Sequence, residues 1–351
     1  MKTKVTRKEV AEQAGVSVSV VSRALNNSGY VDKEKRRKIL AVAEELGYVP
    51  NPVAMSLQQK RTRQIIFYCK DLTNAFNMDM YFGMQEAARE QDYVVLINGD
   101  MEFSNIKGMI TDGIILQNEF FAAEYVSVYG KNYRLPVVSA SFGSAQRMSA
   151  AVPMVEWDLY ESMELALSYL RKRGHREIAY ASPYPFNHCD GRTNAWKSAM
   201  KLILGSRMQE FFICEQEDQE QDGLSDAERS IRRVIQNERF LEKGKAAGAV
   251  FLERDLDASA VICFNDEFAI GFVSHLEAAG KKIPEDISIL SFDGTIRRKT
   301  MTPEITSITP NPKEMGKDLA HLLMDRIDGK KIRYCSKLSI QVAEGASVRT
   351  V

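Results

Sequence analysis

The sequence predicts an α/β protein, with two doubly wound α/β subdomains preceded by a small all-α head. After residue 64, near-continuous apolar runs recur: QIIFYC, YVVLIN, DGIILQ, LPVVSAS, REIAYAS, SAVICFN and ISILSFD. They alternate with amphipathic stretches such as Met80–Glu90, the pattern of parallel strands buried on both faces. Counting shorter candidates, about ten strands fit this region, enough for two open sheets. Before residue 64 the pattern is short and helical. The charge divides at the same place: residues 1–64 carry 13 Lys/Arg against 6 Asp/Glu, the remainder 34 against 41, and the chain of 351 residues is neutral overall. A basic head on an acidic body points to an anionic partner for the head alone.

Each head element has its own signals. Thr6 is placed to cap a first helix with Val10, Ala11 and Ala14 on its inner face, stopping at Gly15. Ser17 is placed to cap a second helix, with Val21, Ala24 and Leu25 inward. Asp32 opens a third, longer helix with Ile39, Val42, Ala43 and Leu46 inward, ended by Gly47 where a left-handed residue is needed. In NPVAMSLQQK, Asn51 and Pro52 suit a helix start, but so polar a short helix is marginal on its own. A helix, a glycine-containing turn and a second helix opened by serine form a helix-turn-helix. Its second helix exposes Val18, Ser19, Ser22, Arg23 and Asn26, small side chains plus one guanidinium, which suits a DNA major groove.

The body carries few signs of catalysis. There is no Walker loop, no G-x-G-x-x-G after a strand, no H-E-x-x-H and no G-x-S-x-G. His188, Cys189 and Asp190 are adjacent, and adjacent side chains do not face one another, so neither a metal site nor a cofactor is expected. The weight therefore falls on binding. The five cysteines lack C-x-x-C spacing and are expected to be reduced and packed. No apolar run approaches the ~18–20 residues of a membrane span and no signal core opens the chain, so a cytoplasmic location is expected.

The segments VTRKEVAEQAGVSVSVVSRALNN and GYVPNPVAMSLQQK resemble the N-terminus of the LacI/GalR family of bacterial transcription regulators. The resemblance continues through KDLTNAFNMDMYFGMQEAARE, GHREIAYAS, GRTNAW, CFNDEFAIG, DISILSFDGT and ITSITPNPKEMG, in family order and over nearly the whole chain. It implies a helix-turn-helix domain over 1–49, a hinge helix and linker over 50–63, and a periplasmic-binding-protein-like body over 64–351. In that body one subdomain takes about 64–157 plus a later return segment, and the other about 158–308 plus the C-terminal segment. The implied function is a dimeric repressor of a carbohydrate-use operon. It would bind double-stranded operator DNA under control of a small sugar held between the subdomains. The alternative is a catabolite-control-type regulator governed by a protein co-regulator or a sugar phosphate. The chain ends at Val351 without a leucine-heptad tail, so a dimer is expected rather than a tetramer.

Carried over residue by residue, the resemblance assigns DNA contacts to Thr6, Ser17, Val18, Ser19, Val20, Ser22, Arg23 and Asn26 of the head. It adds Asn51, Ala54 and Leu57 of the hinge, with Leu57 wedging between base pairs in the minor groove. Effector contacts fall to Asn74, Phe76, Ser141, Trp157, Arg192, Asn265 and Asp293. A carboxylate, an amide and a guanidinium supply the acceptors and donors that vicinal hydroxyls need, and Phe76 or Trp157 is expected to stack on a ring. Four departures from the family pattern bear on the ligand and the fold. Ser141 stands where many members have an acidic sugar ligand, and Ala195 replaces a usual glycine. The crossover between YVVLIN and DGIILQ is short enough that its helix should be truncated or missing. A polar insertion lies within 205–257.

Overall fold

The computed structural model describes residues 5–50, 56, 60–99, 103–130, 135–143, 152–188, 190–215 and 240–351. The expected hinge, with Asn51, Ala54 and Leu57, lies outside the described residues. The chain divides into two units, residues 1–62 and 63–351.

In the first unit, α1 (Arg7–Ala14), α2 (Val18–Leu25) and α3 (Lys33–Glu45) enclose a core of Val10, Ala11, Ala14, Val21, Ala24, Ile39 and Ala43. Thr6 and Glu9 form a reciprocal capping box: the Glu9 amide donates to the Thr6 hydroxyl and the Thr6 amide donates to the Glu9 carboxylate at 2.6 Å. This satisfies two amides that the helix itself leaves unbonded. Thr6→Ala should therefore cost the head about 1 kcal/mol, read as faster hydrogen exchange of the α1 amides; unchanged exchange would show that the box contributes nothing. Asp32 caps α3 with bonds of 3.1 Å to the Glu34 and Lys35 amides. Ser17 occupies the N-cap position of α2, but its hydroxyl meets that of Ser19 at 2.9 Å and makes no capping bond. Gly15 and Gly47 both end helices at positive φ, 70° and 65°.

The second unit is built on two six-stranded sheets. The first contains β1 (Gln64–Tyr68), β2 (Val94–Asn98), β3 (Gly113–Leu116), β4 (Val137–Ser141) and β5 (Met154–Glu156), together with the late strand β11 (Cys335–Lys337). Its order is β11-β5-β4-β3-β1-β2. The second contains β6 (Ile178–Ala181), β7 (Phe212–Ile213), β8 (Ala260–Cys263), β9 (Ser288–Phe292), β10 (Thr306–Thr309) and β12 (Gln341–Ala343), in the order β12-β10-β9-β8-β6-β7. All pairings are parallel except β10 with β12. The described strands number twelve rather than about ten, the additions being strands of two or three residues too short to make an apolar run.

Helices α4 (Ala75–Arg89), α5 (Glu119–Tyr129), α6 (Leu159–Lys172), α7 (Gly191–Leu204), α8 (Phe240–Arg254), α9 (Asp266–Ala278) and α10 (Pro312–Ile327) link or flank the strands. The short crossover from β2 to β3 holds a six-residue 3₁₀ helix, Phe103–Gly108, instead of an α-helix. The chain passes between the sheets three times, after β5, β10 and β11. Although α10 follows β10 of the second sheet, it packs on α4, β3 and β4 of the first.

Two helix pairs touch backbone to backbone through reciprocal glycines. A Cβ at Gly83 of α4 would lie 1.9 Å from the Lys313 carbonyl, and one at Gly316 of α10 would lie 1.9 Å from the Met80 carbonyl. Gly244 and Gly271 do the same for α8 and α9, at 2.0 and 1.9 Å from the Phe268 and Leu241 carbonyls.

Candidate functional site

In open α/β sheets ligand groups gather beyond the carboxyl ends of the strands, and both sheets contribute there. Asp71 follows β1, Gln117 follows β3, Phe142 follows β4, Phe264 and Asn265 follow β8, and Asp293 follows β9. With Asn74, Phe76, Asp190 and Arg192 they line a cleft of about 230 Å³.

The helix starts set the polar groups. Asn74 caps α4, its side-chain oxygen accepting from the Phe76 and Asn77 amides at 2.9 and 3.3 Å. Asn265 caps α9 through the Phe268 amide at 2.9 Å, and Asp190 caps α7 through the Thr193 amide at 2.9 Å. The cap leaves the amide nitrogen of each asparagine, and Oδ2 of Asp190, for another partner. Among the described residues Asp190 Oδ2, although buried, has none.

Arg192 lies at the centre. One Nη donates to Asp293 Oδ1 at 2.6 Å and the other to the Phe264 carbonyl at 3.0 Å, with the two ion-pair side chains only 11% and 8% exposed. Its guanidinium carbon lies 4.8 Å from the Phe264 ring centroid and 5.1 Å from that of Trp157, close enough for the ring faces to attract the cation. Its buried Nε has no partner among the described residues. Asp293 has φ of 100°, a conformation a non-glycine residue keeps only when its surroundings enforce it. They do so here. The Asp293 amide donates to Ile308 O at 3.1 Å, and the Thr309 hydroxyl donates to Asp293 O at 2.7 Å. The Thr295 amide is anchored on Asp266 Oδ2 at 2.6 Å.

Asp266 is a positioning residue that sequence reasoning missed. Fully buried, it accepts from the hydroxyls of Ser291, Ser307 and Thr295 and so ties the turn after β9 to the start of α9. Burial, and then the nearby Asp293 charge, push its carboxyl up to about 6 against the pull of those donors. Burial also raises the Asp293 carboxyl, opposed by Arg192. Tyr184 beside the cleft is pushed up to about 12 by burial and by the Asp190 charge.

Of the expected effector residues, Asn74, Phe76, Arg192, Asn265 and Asp293 meet at this cleft. Ser141 and Trp157 stand behind its wall. Ser141, the last residue of β4, is fully buried with its hydroxyl unpaired among the described residues. Trp157 is fully buried and donates its indole N–H to Ser162 at 2.6 Å. It stacks on Phe76, ring centroids 5.4 Å apart and planes 16° apart. Phe76 takes the lining position, so the indole acts through Phe76 and Arg192 rather than through its own face. Phe142, another lining ring, is held by Glu119, whose carboxylate accepts from the Phe142 amide at 3.0 Å.

In the head, Val18, Ser19 and Arg23 are exposed on α2. Val20 is half-buried and packs against the head core. Ser22 accepts from Arg7 and Asn26 at 3.4 and 3.5 Å, and Arg23 bonds back to the Ser19 carbonyl at 3.4 Å. Lys33, Lys35, Arg37 and Lys38 are exposed basic residues of α3.

A model of bacterial regulatory proteins of the lacI family matches residues 6–51, and a periplasmic binding protein-like domain matches residues 167–348. The chain is 28% identical over 341 residues to the HTH-type transcriptional repressor PurR of Vibrio vulnificus (strain CMCP6), covering 93% of each chain. The lac repressor dimer bound to operator and the anti-inducer ONPF superposes with a TM-score of 0.72 at 20% identity, covering 99% of this chain and 100% of that one. The transcriptional regulator CelR–cellobiose complex superposes with a TM-score of 0.59 at 22% identity, covering 98% and 100%. Among the described residues no helix is long and apolar enough to cross a membrane. With a helix-turn-helix head, a body of two parallel sheets and matches to both family models, this chain belongs to the LacI family of bacterial regulatory proteins, which are DNA-binding transcription regulators and not enzymes.

Proposed function

We propose that the protein is a cytoplasmic, homodimeric repressor whose operator affinity is set by a small sugar in the cleft around Arg192. The buried Arg192–Asp293 pair carries the reading. A paired charge so withdrawn from water is costly to build, and here it is held by a strained turn and, among the described residues, leaves polar atoms of the site unpaired. Such atoms suit a ligand that both donates and accepts hydrogen bonds. The aromatic wall of Phe76, Phe142 and Phe264 supplies apolar faces for the C–H side of a sugar ring. The CelR–cellobiose complex supports this reading, since its fold is the one found here. A dimer is supported by apolar side chains on one face of the edge strand β2: Val94 and Leu96 are 57% and 42% exposed, which invites a partner.

A thermal-shift screen of mono- and disaccharides tests the effector. A ligand at a hundredfold its dissociation constant adds ~2.7 kcal/mol of stability, and the same ligand must then change operator affinity. A sugar that stabilises the body but leaves operator binding untouched would defeat the proposal. For the head, Arg23→Ala should lower discrimination at one operator base pair by ~1–3 kcal/mol, the worth of a bidentate guanine contact. Operator variants titrated at several salt concentrations measure this. A uniform loss across all variants, with a shallower salt slope, would place Arg23 on phosphate instead.

A further inference from the structure

We infer that the cleft accepts an uncharged single-ring sugar and rejects its phosphorylated counterpart, and that Asp190 sets this choice. The inference rests on the cleft being the effector site. Among the described lining residues, three carboxylates (Asp71, Asp190 and Asp293) face one guanidinium. That guanidinium is already engaged by Asp293 at 2.6 Å. Just outside, Glu267 feels the charges of Asp71 and Asp293, and its own cation, Arg297 at 2.7 Å, is spent on it. A phosphate would bring about −1.5 to −2 charge and acceptor oxygens only into a lining that already carries excess negative charge.

The hydrogen-bonding pattern points the same way. The side-chain oxygens of Asn74 and Asn265 are used as helix caps, and that of Gln117 accepts from the Lys70 amide at 3.0 Å. These residues therefore offer N–H donors. Against them stands the carboxylate of Asp190, which lines the cleft and caps α7 through Oδ1 alone, an acceptor for an O–H or N–H of the ligand. A hydroxyl satisfies both kinds of neighbour, whereas a phosphate oxygen can answer only the donors. The cleft of about 230 Å³ lies below the ~300–1,000 Å³ of drug-sized sites, which favours one ring over two.

The test is calorimetric titration of the full chain with D-glucose, D-galactose, D-mannose and D-ribose, each paired with its terminal phosphate. The parent sugar that binds should do so at least about tenfold more tightly than its phosphate, the scale expected for one added like-charge contact. D190N keeps a side-chain oxygen for the α7 cap but loses the charge, so the ratio of parent to phosphate affinity should fall several-fold. A phosphate binding as tightly as its parent overturns the inference and leaves the effector reading standing. An unchanged ratio in D190N, as steric exclusion would produce, overturns the role of Asp190. If no parent sugar and no phosphate binds at millimolar concentration, the effector reading fails and the inference with it.

Discussion

Arg192→Ala should raise the sugar concentration needed for the effector response at least about tenfold, because hydrogen bonds to a charged group are worth ~1.5–3 kcal/mol each. The guanidinium that would hold the sugar is also, among the described residues, the only cation paired with the buried Asp293 carboxylate. Removing it leaves a carboxylate that is 8% exposed without its partner, and breaking a buried pair in this way costs ~3–5 kcal/mol. The body should therefore melt at lower temperature as well. The double variant Arg192→Ala with Asp293→Ala separates the two effects. Removing both charges should restore part of the stability, since a pair deleted together leaves no orphan, and it should restore none of the sugar response. Operator affinity without sugar should change little, because the head folds on a core of its own. Linkage supplies an internal check: the factor by which sugar lowers operator affinity must equal the factor by which operator lowers sugar affinity. Titration on labelled operator, with and without sugar, gives all four affinities. An unchanged sugar midpoint in Arg192→Ala would remove Arg192 from the site while leaving the family assignment intact.

How much of this was legible in the sequence depends on whether a feature is written locally. The caps at Thr6 and Asp32 are local chemistry, and the helices they open lie where short-range pattern places them; Asn74 and Asn265 cap helices in the same way, a role the sequence reading did not assign them. Strands with apolar runs were equally plain, whereas β7, β11 and β12, of two or three residues each, borrow their stability from neighbours and leave no period. The family resemblance names Arg192, Asn265 and Asp293, which the fold brings to one cleft. Asp71, Gln117, Phe142 and Phe264 were missed, although a usable signal existed: each stands at or just beyond the end of an apolar run, where a parallel sheet delivers its ligand groups. Asp190 stands in the sequence within a reactive-looking triplet, whereas its place as the N-cap of α7 at the cleft wall is set by the tertiary fold. Ser141 ends β4 and Trp157 follows β5, but both strands are buried along their whole length. Sequence alternation therefore could not tell the side facing the cleft from the side facing the core. Nothing in the pattern marked the glycines inside α4 and α10 as contacts.

Those glycines carry the second large effect. Gly316→Ala should destabilise the body by about 3 kcal/mol, at the upper end of the usual cost of overpacking, and lower its melting temperature by roughly 5–10 °C. The new Cβ would start 1.9 Å from the Met80 carbonyl, and the obstruction is main chain, so no side-chain rotation relieves it. The helices must move apart, and the reciprocal contact of Gly83 with Lys313 O opens with them. The consequence reaches the cleft because α4 begins with Asn74 and Phe76, two of its lining residues. On its far side α10 descends from β10, which pairs with β9 immediately before Asp293. Helix α10 thus joins the strand beside one half of the ligand site to the helix that starts the other half. Separating α4 from α10 should shift Phe76 and the Asn74 amide relative to Arg192, so sugar affinity should fall together with stability. Gly108→Ala is the control, since a Cβ there meets nothing within 4 Å, and it should leave both quantities near those of the parent protein. A melting temperature for Gly316→Ala equal to that of the control would mean that the two helices can give way freely. A lowered melting temperature with unchanged sugar affinity would mean that the contact stabilises the body without positioning the cleft.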